Sequence, residues 1–408
     1  MINLKLVCPA VLVTVKLAVT IALVASPSST AAQRNIVKYG VSGNMPVFYE
    51  QLKSTLNYPL AWGNSSITDF NEWRESARSL LLDCISPALP MADDWGFEVI
   101  SEEQRDGYVA KKILFNLSSW SRIEAYLLVP EGINEIGETL VPLRAPALLL
   151  LHDHGAHFTI GKEKMVRPFD VSDELLDDSE SWCTKYFEGQ YVGDYFAKNG
   201  YVVFVTDALL WGGRGRKEGP LYDSQQALSA NLLQMGMSWG GLIASDDVRC
   251  AEFLSNLPFV DKERVGVMGF SMGAHRAWMT AAATDCIKAA ASVCWMCTTD
   301  SLMTMTNNQN KGGSAYAMLI PNLRRYMDYP HVASIACPKP MLFINGLRDK
   351  LFPVEGVKEA YSIMHEVWDS QDVSDKLQTF FLDAPHVCDK VMQREILFFF
   401  NQHFQSIP

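Results

Sequence analysis

The sequence predicts an α/β protein built on a mainly parallel sheet with helices on both faces, and three observations carry that expectation. Continuous apolar runs recur at residues 145–152, 201–206, 265–268, 287–294, 340–345 and 377–382, the pattern of strands buried on both faces. Helical patterns at 242–257, 274–283, 357–367 and 391–404 alternate with them, as crossovers between parallel strands must. A G-x-S-x-G sequence, Gly269 to Gly273, joins the strand at 265–268 to the helix that follows. With 48% of its 408 residues hydrophobic, the chain can bury a core of this size.

Taken in order, residues 1–32 read as a signal peptide. Lys5 and Lys16 are the only charges before Arg34, residues 17–25 are apolar, and Thr30, Ala31 and Ala32 offer small residues for cleavage. The expected destination is secreted or periplasmic, with no integral membrane span once the leader is gone, because the apolar run is short for one. Residues 33–94 are expected to form an N-terminal helical extension, with helical pattern across 44–90, and residues 95–408 the main domain. Three β-rich stretches, 96–100, 108–116 and 122–129, predict an antiparallel start to the sheet. The charged stretch 158–185 reads as an insertion with a solvated face, and the methionine-rich excursion 298–336 as a substrate-facing cap.

The chemistry centres on Ser271. A nucleophile lifted on so sharp a strand-to-helix turn leaves no room for side chains two residues away, which is what Gly269 and Gly273 supply. Asp349, shortly after the strand at 340–345, and His386, just past the strand at 377–382, complete the order serine, acid, histidine. His386 is then the base and Asp349 the group that fixes its tautomer. Asp383 is the rival acid, while His275, His365 and His403 read as structural. The Met272 N–H and the Gly155–Ala156 segment, after the strand at 145–152, are the expected oxyanion donors. His154, Arg214 and Arg216 in the loop WGGRGR, and Trp295 are assigned to substrate contact, Arg214 and Arg216 because guanidinium groups suit carboxylates.

Other chemistries fit less well. A formal charge of −11 opposes nucleic acid, and loss of the leader removes two lysines and no acids. His152, His154 and His157 invite a metal, but no matching ligand set accompanies them, so no metal and no cofactor are expected. Cys294 and Cys297 have C-x-x-C spacing yet close a strand rather than open a helix. The loop at 211–216 lacks the lysine and serine of a phosphate-binding loop.

The set HDHGAHF, WGGRGR, GFSMGAHRAW, GLRDKLFP and APHV resembles α/β-hydrolases related to dienelactone hydrolases and acetyl xylan esterases, over residues 95–405. Within them it is similar to secreted carbohydrate esterases, including the family 19 pectin methylesterases. The resemblance implies an α/β-hydrolase fold, a serine esterase with nucleophile Ser271, acid Asp349 and base His386, and no cofactor. Its partner would be an ester-bearing carbohydrate, methyl-esterified at a uronate or acetylated at a sugar hydroxyl. Two other functions share parts of the pattern: a prolyl-oligopeptidase-like peptidase, for whose propeller there is no room before residue 95, and a catalytically silent hydrolase-fold binding protein.

Overall fold

A computed structural model describes residues 38–43, 45–85, 89–133, 144–304 and 314–404; the leader expected at 1–32 lies outside them. Its centre is a nine-stranded sheet. In chain order the strands are β1 (Glu98–Arg105), β2 (Tyr108–Ser118), β3 (Ser121–Pro130), β4 (Ala145–Leu151), β5 (Val202–Thr206), β6 (Val260–Phe270), β7 (Ala289–Val293), β8 (Met341–Gly346) and β9 (Leu377–Leu382). Across the sheet they run β9-β8-β7-β6-β4-β5-β3-β2-β1. The six strands from β9 to β5 are parallel, and β3, β2 and β1 continue antiparallel.

Alternation within β4 explains the double burial. Leu149 and Leu151 join one core, with α1 (Phe70–Ile85), α4 (Trp239–Ser255), α5 (Met272–Ala283) and α6 (Val354–Asp369). Leu148 and Leu150 join the other, with α2 (Asp173–Phe187), α3 (Val192–Lys198) and α7 (Lys390–Phe404). Successive side chains of a strand point to opposite faces, so a strand covered on both sides must be apolar throughout.

Two expectations need revision. Among the described residues of 44–90 only Tyr49–Lys53 and α1 are helical; Pro59, and Gly63 at φ +90°, break the run between them. α1 lays Trp73, Ala77, Leu81 and Ile85 into the first core at helical spacing. The stretch 158–185 is not simply a solvated face either. Lys162, Glu163 and Lys164 are buried, and α2 begins at Asp173 with Ser172 capping the Leu175 N–H.

Candidate active site

The parallel strands end together at one edge, and register fixes what meets there. Leu151 of β4 pairs with Gly269 of β6, and Phe270 with Val293 of β7. Ser271 follows at φ 56°, ψ −122°, a conformation that costs a non-glycine residue about 1–3 kcal/mol and persists only where its surroundings impose it. Here the Ser271 N–H donates to the Val293 carbonyl at 2.9 Å. A Cβ on Gly269 would lie 2.1 Å from the Gly273 carbonyl, and one on Gly273 would lie 1.8 Å from the Leu151 carbonyl oxygen. Both glycines are therefore required by contact, and they press the first turn of α5 onto the end of β4.

The structure brings the three expected residues together. The Ser271 Oγ lies 2.8 Å from His386 Nε2, and His386 Nδ1 lies 2.6 Å from Asp349 Oδ2. The other carboxylate oxygen of Asp349 accepts from the Leu351 N–H at 2.9 Å, which aims the acid. Ser271 follows β6, Asp349 follows β8 and His386 follows β9, so three strand ends supply one hydrogen-bonded line. Asp383 faces elsewhere: its carboxylate takes the Arg348 Nε at 2.7 Å and is 80% exposed.

Among the described residues, the backbone N–H groups of Met272, directly after Ser271, and of Gly155, in the loop after β4, have no hydrogen-bond partner. Met272 opens α5, where helix geometry leaves the first N–H groups unpaired. The Ala156 N–H differs from expectation. It donates to His154 Nδ1 at 2.9 Å, which leaves His154 Nε2 to donate to Gln225 Oε1 at 2.8 Å. Burial holds His154 neutral, its pKa lowered to about 4.

Most of the assigned substrate contacts are not exposed. His154 is buried, and Trp295 is packed by His275, Tyr329 and Phe352. Arg214 spends its charge on Asp246 at 2.8 Å and donates to the Asp207 carbonyl; the sequence could not show that an acid on α4 would meet it. Arg216 fits the assignment better. It lines a cavity of about 200 Å³ with Phe158, Leu210, Pro220 and Leu221, and its acid neighbour Glu218 is 3.6 Å away and mostly exposed.

The histidines proposed against a metal have separate partners. His152 Nε2 accepts from the Ala208 N–H and its Nδ1 donates to the Asp153 carbonyl, while His157 meets Asp178 at 2.6 Å. One further group has ligand chemistry: Cys294 Sγ, an Asp349 oxygen and a His386 nitrogen lie within 4.8 Å of one another. The acid and histidine are already bonded to each other, the thiol donates to the Val387 carbonyl at 3.5 Å, and burial next to Asp349 pushes its pKa up. Such a set favours the protonated thiol over a chelate.

Sequence reasoning missed a buried charge cluster beside the loop at 211–216. The Lys162 Nζ meets Glu163 at 2.8 Å, Asp207 at 2.9 Å and Glu124 at 3.2 Å. Burial opposes its charge, but these acids raise its pKa well above the ordinary lysine value. Asp207 also accepts from the Gly213 N–H, tying the loop at 211–216 to β5. The available signal was Ile160 before the triple, and Met165 and Val166 after it.

The sequence profile of the Abhydrolase family matches residues 20–381. The chain is 24% identical over 306 residues to "Putative hydrolase YtaP" of Bacillus subtilis (strain 168), covering 75% of this chain and 91% of that one. Among solved structures it is similar to a protein of Bacteroides fragilis NCTC 9343 named "putative acetyl xylan esterase", with TM-score 0.64 and 19% identity over 82% of each chain. It is also similar to a glucuronoyl esterase from Solibacter usitatus, with TM-score 0.58 and 14% identity over 85% of this chain and 97% of that one. With a profile match over most of its length, and a strained serine turn at the centre of a sheet of this order, the chain belongs to the Abhydrolase family and has the α/β-hydrolase fold.

Proposed function

We propose that the protein is a serine carboxylesterase acting on ester groups carried by carbohydrates. The observation that carries this reading is the Ser271–His386–Asp349 line, with its contacts of 2.8 Å and 2.6 Å. His386 Nε2 takes the Ser271 proton as Oγ attacks the ester carbonyl, and returns it to the departing alkoxide, leaving an acyl-enzyme. Asp349 holds the Nδ1–H tautomer and stabilises the imidazolium. The Met272 and Gly155 N–H groups would receive the oxyanion. Water then attacks the acyl-enzyme, with His386 again as base. Support for a carbohydrate substrate comes from the named activities of the similar structures, acetyl xylan and glucuronoyl esterases.

Which ester is cleaved depends on the sugar's charge. Arg216, at the rim of its cavity, is the assigned cation that remains open to a uronate carboxylate, and it favours a methyl-esterified uronide. We further propose that the leader at 1–32 directs export. The test is a fluorophosphonate probe together with parallel assays on acetylated xylan, methyl-esterified pectin and nitrophenyl acetate. Covalent labelling that Ser271→Ala abolishes, with turnover of at least one carbohydrate ester, is expected. An unlabelled wild-type protein with no ester turnover would leave the silent binding fold in its place.

A further inference from the structure

Lys164 is buried, lies outside the triad, and its Nζ is directed at backbone rather than solvent. It donates to the carbonyls of Asp153 and His154, each at 3.2 Å. Both carbonyls have further donors. The Asp153 oxygen accepts from His152 Nδ1 at 2.8 Å, and the His154 oxygen accepts from Trp211 Nε1 at 3.1 Å. The two peptide groups are thus anchored by their oxygens from the protein interior.

A trans peptide is planar, with N–H and C=O pointing in opposite directions. If the Asp153 and His154 oxygens face inward, the N–H groups of the next residues, His154 and Gly155, face the other way. Among the described residues neither N–H has a partner. Gly155 is exposed while Asp153 and His154 are buried, so its amide stands where the loop reaches solvent. The same loop starts at the contact between Gly273 and the Leu151 and His152 carbonyls, directly beside the first turn of α5.

We infer that Lys164 is a positioning residue, whose Nζ fixes and polarises the 153–155 peptides so that the Gly155 N–H serves as the second oxyanion donor. Resting on the esterase reading, this gives a buried lysine a catalytic consequence at one remove. Its placement is itself determined. Lys164 lies 3.6 Å from Asp153 Oδ1 and over the Trp182 ring at 4.7 Å, and Trp182 Nε1 holds the other Asp153 oxygen at 3.1 Å. A donor pulling on a carbonyl strengthens the hydrogen bond made by the N–H of the same peptide, and preorganised donors of this kind act on the transition state more than on bound substrate.

The test is Lys164→Met, close in length and without a donor, assayed beside the wild type. The expected result is a fall in kcat of about 30-fold or more with KM changed less than about threefold, the range of one lost oxyanion donor or somewhat below it. The labelling rate by a fluorophosphonate should fall in parallel, while the pH profile of kcat/KM keeps its shape. A residue that merely supports the fold would lower the melting temperature and the concentration of active sites titrated by the probe, but leave kcat per titrated active site intact. If Lys164→Met does not fold, Trp211→Phe removes the other side-chain donor on the His154 carbonyl and should lower kcat about threefold at constant KM. Wild-type kcat in folded Lys164→Met, or in Trp211→Phe where the first variant is lost, overturns the inference. Failure of the esterase reading would show instead in the wild type, as absence of Ser271 labelling, and the inference would fall with it.

Discussion

Acid should unfold this protein more steeply than its carboxylates alone would require. Burial, opposed in part by the Gln225 hydrogen bond, lowers the His154 pKa to about 4; burial chiefly, offset by Asp328, lowers that of His331 to about 4. Burial also lowers His152 and His275 well below the ordinary imidazole value, with Arg276 adding to both. In each case the folded pKa lies below that of the unfolded chain, so the unfolded chain takes up the protons first. The stability they contribute is complete above about pH 6.5 and is lost as pH falls toward the folded values. One such group lowered to about 4 is worth about 3 kcal/mol, and four of them set a slope of roughly 5 kcal/mol per pH unit once the unfolded histidines are charged. A domain stable by about 5–15 kcal/mol cannot absorb that for more than two or three units. Asp207, Asp246 and Asp247, raised above ordinary carboxylate values by burial, act in the opposite sense, so the loss should be steepest between about pH 6 and pH 4.5. Urea unfolding followed by tryptophan fluorescence at steps across that range measures it. His275→Leu, which removes an imidazole whose Nε2 has no partner among the described residues, should reduce the slope by roughly a quarter. Stability constant to within about 1 kcal/mol from pH 7 to pH 5 would refute the reasoning.

Four further outcomes are expected. Asp349→Asn should lower kcat by about 10⁴ through the wrong histidine tautomer, while Asp383→Asn, whose carboxylate holds Arg348, should stay within about twofold in the same ester assay. Gly273→Ala places a methyl 1.8 Å from a backbone oxygen that cannot rotate away, and should cost about 3 kcal/mol in urea unfolding, at the upper end for overpacking. Arg214→Ala leaves Asp246 buried without its partner and should cost about 3–5 kcal/mol of stability. Arg216→Ala should instead raise KM for an oligouronide methyl ester about tenfold while sparing nitrophenyl acetate, and equal losses on both esters would mean that it only holds the loop.

The sheet was legible because burial on two faces leaves a mark in every residue of a strand. Leu377–Leu382 was read to the residue, and the ends of β4, β5 and β8 to within one. Ser271, Asp349 and His386 could be placed in sequence because each follows a strand whose end was already marked by composition. Side-chain partners across the fold left no such mark. Arg214 meets Asp246 from another helix, and Lys162, Glu163 and Lys164 look solvated until Asp207 and the Asp153 and His154 carbonyls are brought over them. Ala156 failed as an oxyanion donor for a similar reason, since only the turn itself shows that His154 Nδ1 takes its N–H.

The backbone at Ser271 sets a direction for selection. At φ 56°, ψ −122° the residue stores conformational energy that glycine would largely release, and the release of about 1–3 kcal/mol exceeds or matches the roughly 0.5–1 kcal/mol of extra unfolded-state entropy that glycine brings. On the proposed esterase reading, a lineage freed from the need for catalysis would therefore gain stability by exchanging Ser271 for glycine. Serine at so strained a point therefore stands against the stability gradient, as the proposed catalytic role would require.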